Sequence, residues 1–355
     1  MRLACSLSYD LQSLQIPVTG ASNDEVAWCI TISVMKIVAS KNVLLDGIRP
    51  LEEEGARIVT VDCSDREGLV KELRDADALL VRLDRIDRRV LEGAPKLKLV
   101  CRFGVGVELI DVGAAEKLGI YVANTPDSMT ISVAEHTMLL LLAASRNQRY
   151  SQRRLEKGDF SGRNHFGREL YGKTIAIIGY GRIGREVARK CLYGFGMKVI
   201  VWDRNGRYEL PEGMTAMSEL DDILPLSDYV SLHLPLNEET RNFCDAGFFN
   251  RMKMGSIFIN TARGGEVVEE ALIEALESGR LYAAGLDCIS SEPLDSGSRL
   301  YALDNVYMTP HSASCIEETF SRTSFDVAEN VRDVLIYHRR PRGSVNSPAH
   351  PRSES

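Results

Sequence analysis

Four apolar runs end in residues able to hold an anion or move a proton. The stretch "GLDCISSEPL", from Gly285 to Leu294, carries Asp287 and Glu292, and "YMTPHSAS" carries His311. "IFINTARGG" leads to Arg263, and "SLHLP" to His233 and Pro235. Histidine titrates near neutrality, so His311 suits general acid–base work. A carboxylate set against an imidazole favours its proton-donating form, and Glu292 is the candidate for it. The guanidinium of Arg263 stays charged and suits a bidentate grip on a substrate carboxylate. His233 reads as pocket wall and His136 as a histidine satisfied at a helix junction, while His165, His338 and His350 read as loop or tail. Each group alone has a plainer reading: an arginine in a Gly-rich turn is often surface, and Glu before Pro is usually turn chemistry.

Their meaning changes beside "TIAIIGYGRIGREVARKC", where an apolar strand runs into Gly179, Gly181 and Gly184 and then a helix. That spacing allows a tight turn, close approach of backbone to a pyrophosphate, and close helix–strand packing. Helix N-terminal amides then face the phosphates. The next strand, "KVIVWD", ends in Asp203, nineteen residues past Gly184. A carboxylate there accepts both adenosine ribose hydroxyls and repels a 2′-phosphate, favouring NAD over NADP, although Arg204 beside it pulls the other way. Ligands in open α/β sheets sit at the carboxyl ends of strands, where all four stretches lie. Together these groups describe hydride transfer between a nicotinamide and a 2-keto acid, with Arg263 as clamp and His311 as proton donor.

The elements that must position them alternate. From "MKIVAS" at Met35 onward, short apolar runs are separated by helical patterns, as in βαβ units with a parallel sheet. "SVAEHTMLLLLAASRN", residues 132–147, reads as one long helix buried on more than one side, and "RNQRYSQRRLEK" as the exposed end of a helix. At 355 residues the chain is long enough for two domains. A net charge of −7 without a dense basic face excludes nucleic acid and anionic membrane as natural partners. No apolar run reaches the roughly 18–20 residues of a membrane span. Eight scattered cysteines without a CxxC pair indicate no metal site and reduced thiols in the cytoplasm. Residues 1–34 read as a poorly ordered extension, of the kind an upstream start codon adds, and 341–355 as a mobile tail rich in Pro, Ser and Arg.

From about Met35 to Asn346 the sequence resembles the D-isomer-specific 2-hydroxyacid dehydrogenases. The resemblance is carried by "APKLKLVCRFGVGVELID", "NTPDSMTISVAEHT", "LYGKTIAIIGYGRIG", "NTARGGEVVEEAL", "GLDCISSEPL" and "TPHSA". It implies an α/β fold of two Rossmann-like domains with a cleft between them. Residues 35–125 and 313–340 would form a discontinuous, flavodoxin-like substrate domain, and 126–312 the NAD-binding domain. The catalytic trio falls on Arg263, Glu292 and His311. Cofactor positions fall on Gly179, Gly181, Arg182, Ile183, Gly184, Asp203, His233, Pro235, Thr240, Thr261, Ala262 and Asp287.

Substrate positions fall on Arg82, Arg102, Val105, Gly106 and Arg263, the two further arginines matching those near the phosphate in phosphoglycerate-type members. The sequence departs from the family at Asp84, Phe103, Glu108 and Leu109, which adds bulk and negative charge near the pocket. The resemblance further implies a homodimer, a short form without a regulatory domain, and a small anionic 2-hydroxy or 2-keto acid as substrate: 3-phosphoglycerate, glycerate/hydroxypyruvate or glyoxylate. Two other functions fit the same fold: an NAD(H)-sensing corepressor-like binding protein, and oxidation of formate or phosphite.

Overall fold

The computed structural model describes residues 35–204 and 209–352. The reading of 1–34 as an extension lies outside the described residues. Two parallel sheets divide the chain. The first contains β1 (Met35–Ser40), β2 (Ala56–Val61), β3 (Ala78–Val81), β4 (Leu99–Arg102) and β5 (Tyr121–Ala123), in the order β2-β1-β3-β4-β5. The second contains β6 (Thr174–Ile178), β7 (Lys198–Trp202), β8 (Met214–Ala216), β9 (Tyr229–Leu232), β10 (Ser256–Asn260), β11 (Leu281–Leu286) and β12 (Val306–Met308), in the order β12-β11-β10-β9-β6-β7-β8. Helices cover both faces, so strands such as β3, β9 and β10 are buried at every position and read as unbroken apolar runs. The strand order of the second sheet reverses between β6 and β9, and that switch point opens the crevice in which ligands lie.

Two long helices join the sheets. The helix Thr130–Ser145 packs Ala134, Met138, Leu141 and Ala144 against Ile175, Ile177 and Val199 of the second sheet. Its remaining stripe, Ile131, Glu135 and Leu139 at four-residue spacing, stays exposed. It ends sooner than the sequence suggests. Asn147 adopts a left-handed conformation (φ 52°), which asparagine tolerates better than most residues, and its side-chain amide donates to Phe166 O at 3.1 Å. The basic stretch is therefore a separate helix, Gln148–Leu155. The helix Glu317–Leu335 returns to the first sheet, packing Val327, Ala328, Val331 and Val334 against Ile37, Ala39, Leu80 and Leu99.

The segment read as a mobile tail is bonded to the first sheet through Arg352. Val345 N donates to Val122 O at 2.8 Å, and the Asn346 side chain both accepts from Val122 N (2.8 Å) and donates to Ile120 O (2.9 Å). Arg352 N donates to Gly119 O at 2.9 Å. β5 is an edge strand with unpaired backbone groups, and residues 344–346 satisfy them.

Candidate active site

The glycine loop follows β6 directly. Gly179 has φ +100°, and a Cβ there would meet His233 O at 2.6 Å; one on Gly184 would meet Gly179 O at 2.1 Å. These two glycines are required by the turn and by the helix–strand contact. Gly181 differs: a Cβ there would meet nothing within 4 Å, so the loop leaves an open cradle at the N-terminus of the helix Arg182–Arg189. Unpaired amides of a helix N-terminus suit a pyrophosphate in that cradle. Asp203 follows β7 and accepts from Tyr180 N at 2.9 Å, tying the candidate ribose carboxylate to the same loop. Arg204 is turned to an ion pair with Glu239, and Arg182 to Asp127 at 2.5 Å. The chain's own residues thus fit a dinucleotide.

The walls of that crevice are the other strand ends. After β9, burial pushes the His233 imidazole down to about 3, so it stays neutral, 2.8 Å from Ser231 Oγ. Thr240 Oγ1 donates to Pro235 O at 2.6 Å and holds the turn beyond. After β10, Thr261 Oγ1 lies 2.8 Å from Thr137 Oγ1 of the long helix, and Ala262 N donates to Asn260 Oδ1 at 2.9 Å.

The acid–base pair is carried by β11 and β12. His311 Nδ1 lies 2.8 Å from Glu292 Oε2, each side chain less than half exposed. Burial pushes the Glu292 carboxyl up, but the facing imidazole outweighs it and holds the group below its usual range. His311 sits at φ +50°, a conformation costly for a non-glycine residue, of order 1–3 kcal/mol. Its amide is anchored to Asp287 O at 2.9 Å, and the next two amides, Ser312 N and Ala313 N, donate to the Asp287 carboxylate at 2.9 and 3.0 Å.

Asp287 is 1% exposed. Burial pushes its carboxyl up, yet hydrogen bonds from His136, Thr309 and those amides hold it below the ordinary value. His136 Nε2 lies 2.8 Å from Thr309 Oγ1, whose hydroxyl donates to Asp287 at 2.6 Å. Asp287, matched to a cofactor position, here also braces the turn that presents His311, a second role that no local sequence signal reports.

Arg263, Glu292, His311 and Asp287 line one cleft of about 440 Å³ with Arg82, Arg102, Val105, Gly106 and Thr261. Val105 O accepts from Asn124 Nδ2 (2.7 Å) and Gly106 O from Arg102 Nε (3.0 Å), while among the described residues neither Val105 N nor Gly106 N donates a hydrogen bond. Two such amides suit a carboxylate. Arg102 also donates to Phe103 O, so it is committed to the loop, whereas Arg82 stacks over the Phe320 ring at 4.8 Å. Arg263 is not an empty clamp: its Nε donates to Glu108 Oε1 at 3.1 Å and its Nη1 to Ala262 O at 2.8 Å.

Beneath it Glu266 is fully buried, accepting from Arg263 N at 3.3 Å with Oε1 unpartnered among the described residues. Burial pushes that carboxyl up to about 8, so it carries a proton at neutral pH. The pairing of Glu108 and the burial of Glu266 were not foreseen. Cys288, Glu292 and His311 bring a thiol, a carboxylate and an imidazole within 4.8 Å of one another, a donor set of metal-ligand type, although burial pushes the thiol up and keeps it protonated.

Residues 138–313 match the sequence pattern of a family described as "D-isomer specific 2-hydroxyacid dehydrogenase, NAD binding domain". The chain is 39% identical over 305 residues to D-3-phosphoglycerate dehydrogenase of Methanocaldococcus jannaschii, covering 85% of this chain and 58% of that one. It therefore spans little more than half the length of that relative. It is 37% identical over 294 residues to hydroxypyruvate reductase of Thermotoga maritima, covering 79% of this chain and 95% of the relative. Its structure is similar to that of the NAD-dependent formate dehydrogenase from Staphylococcus aureus in complex with NAD, with a TM-score of 0.77, 30% identity, and 89% and 100% of the two chains covered.

Proposed function

The chain belongs to the D-isomer specific 2-hydroxyacid dehydrogenase family, and from that premise we propose that it interconverts a small D-2-hydroxy acid and its 2-keto acid with NAD. The observation that carries this reading is the His311–Glu292 pair, 2.8 Å apart, lining one cleft with Arg263 at the strand ends beside the glycine loop. The bound nicotinamide supplies or accepts the hydride. Glu292 engages Nδ1 of His311, which leaves Nε2 to give a proton to the substrate oxygen in reduction or to take one in oxidation. Arg263 and the amides of Val105 and Gly106 hold the substrate carboxylate and orient the carbonyl. Neutral His233 walls the nicotinamide side without competing for the proton.

Commitment of Arg102 to loop carbonyls favours a substrate with an uncharged distal group, such as hydroxypyruvate or glyoxylate, over phosphohydroxypyruvate. Asp203 favours NADH over NADPH, because Arg204 is engaged by Glu239 and a 2′-phosphate would face the carboxylate. The exposed Ile131–Leu139 stripe supports a homodimer packed through the NAD-binding domain, and the free thiols of the described cysteines suit a reducing compartment, the cytoplasm.

The test is NADH consumption with hydroxypyruvate, glyoxylate, pyruvate, phosphohydroxypyruvate and 2-oxoglutarate, repeated with NADPH. Turnover of at least one acid, faster with NADH, is expected. Failure with all five overturns the proposal. Arg263→Ala should raise KM sharply, and unchanged kinetics would remove that residue from the clamp.

A further inference from the structure

The clamp just described already holds a carboxylate. Glu108 Oε1 accepts from Arg263 Nε at 3.1 Å, and both side chains line the cleft. A Cβ placed on Gly106 would fall 2.3 Å from Glu108 Oε2 and 2.4 Å from Arg263 Nη2. The acid and the guanidinium therefore converge over the Gly106 backbone, beside the amides that suit an incoming carboxylate. With Nη1 held by Ala262 O, only Nη2 of the guanidinium lacks an acceptor among the described residues. A second carboxylate cannot take the Nε–Nη2 fork while Glu108 holds Nε.

We propose that Glu108 is an internal occupant of the substrate-carboxylate clamp, displaced by the substrate on binding, and that it sets the apparent affinity for 2-keto acids. The inference rests on the hydride-transfer reading, which assigns Arg263 to the substrate. Displacement is feasible: Glu108 is 46% and Arg263 30% exposed at the side chain, and ion pairs this open are weak. Arg263 is the one side chain that Glu108 bonds among the described residues, so on leaving it returns to solvent instead of breaking other contacts. A gap at Arg263 then opens to whichever carboxylate competes better. The substrate gains the fork and the two loop amides together, whereas the Glu108–Arg263 bond is single.

The test compares Glu108→Gln and Glu108→Ala with the wild type. It reads KM and kcat for the best keto acid, and calorimetric binding of oxamate, a carboxylate analogue, to the enzyme–NADH complex. KM and the oxamate Kd should fall roughly three- to tenfold in both variants, with kcat within about twofold. Unchanged or weaker oxamate binding in both variants of an active enzyme overturns the inference alone; a loss of kcat besides would make Glu108 an orienting partner of Arg263. Tighter oxamate binding in the variants of a protein that reduces no keto acid would uphold the occupant and overturn the reaction. Neither turnover nor tighter binding overturns both.

Discussion

Glu292 and His311 are 19 residues apart in sequence and 2.8 Å apart in space, and the backbone of His311 is held in an unfavourable conformation to achieve it. Glu292→Gln keeps the size of the side chain and removes its charge. It should lower kcat roughly 10²-fold while leaving the NADH Kd unchanged; equal kcat in stopped-flow assays would take Glu292 out of the proton path. At this scale the motifs were informative because each ends a strand, and parallel strands deliver their ends to one edge. Arg263 was legible as a cation and its partner was not. Glu108 lies 155 residues away, and no local pattern reports which acid a crossed cleft brings to a guanidinium. The burial of Glu266 was hidden for a similar reason: an acid after two glycines carries no local mark of burial, yet Glu266 is 0% exposed.

Elements carry two further expectations. Gly181 has an extended backbone open to any residue (φ −74°) and faces empty space, so Gly181→Val should leave the thermal midpoint unchanged while weakening NADH binding by at least about tenfold. A matching loss of stability would mean that the glycine serves the fold instead of the cradle. Glu266 offers a pH test. Its carboxyl titrates near 4.5 when exposed and at about 8 in the fold, so the fold binds the proton more tightly than the unfolded chain. Stability must therefore fall as pH rises from about 4.5 to 8 and stay low beyond. Glu266→Gln should melt increasingly above the wild type across that window; a constant difference would contradict the assignment. The sequence showed the strands and the glycine loop well, because period and turn chemistry are local. It misjudged residues 341–352, since a Pro- and Ser-rich composition is silent on an edge strand that needs partners, and it ended the long helix at Asn147, two residues beyond Ser145.

The whole molecule is a cleft between two parallel-sheet layers, with the helix Glu317–Leu335 returning the chain to the first sheet. That discontinuity was not readable from periodicity; it came with the family resemblance. Association is legible only in part, because apolar positions around Thr130–Ser145 show that the helix is covered without showing by what. Light scattering should give twice the chain mass, and Leu139→Arg should return it to one; a monomeric wild type would contradict the homodimer. The central claim is that this cleft moves a hydride between NAD and a D-2-hydroxy acid, with His311 handling the proton. The most direct measurement is chiral analysis of the glycerate formed from hydroxypyruvate and NADH, by the wild type and by His311→Asn. D-glycerate is expected from the wild type, and a rate lower by roughly 10²–10⁴-fold in the variant. L-glycerate, or equal rates in the two proteins, would contradict it.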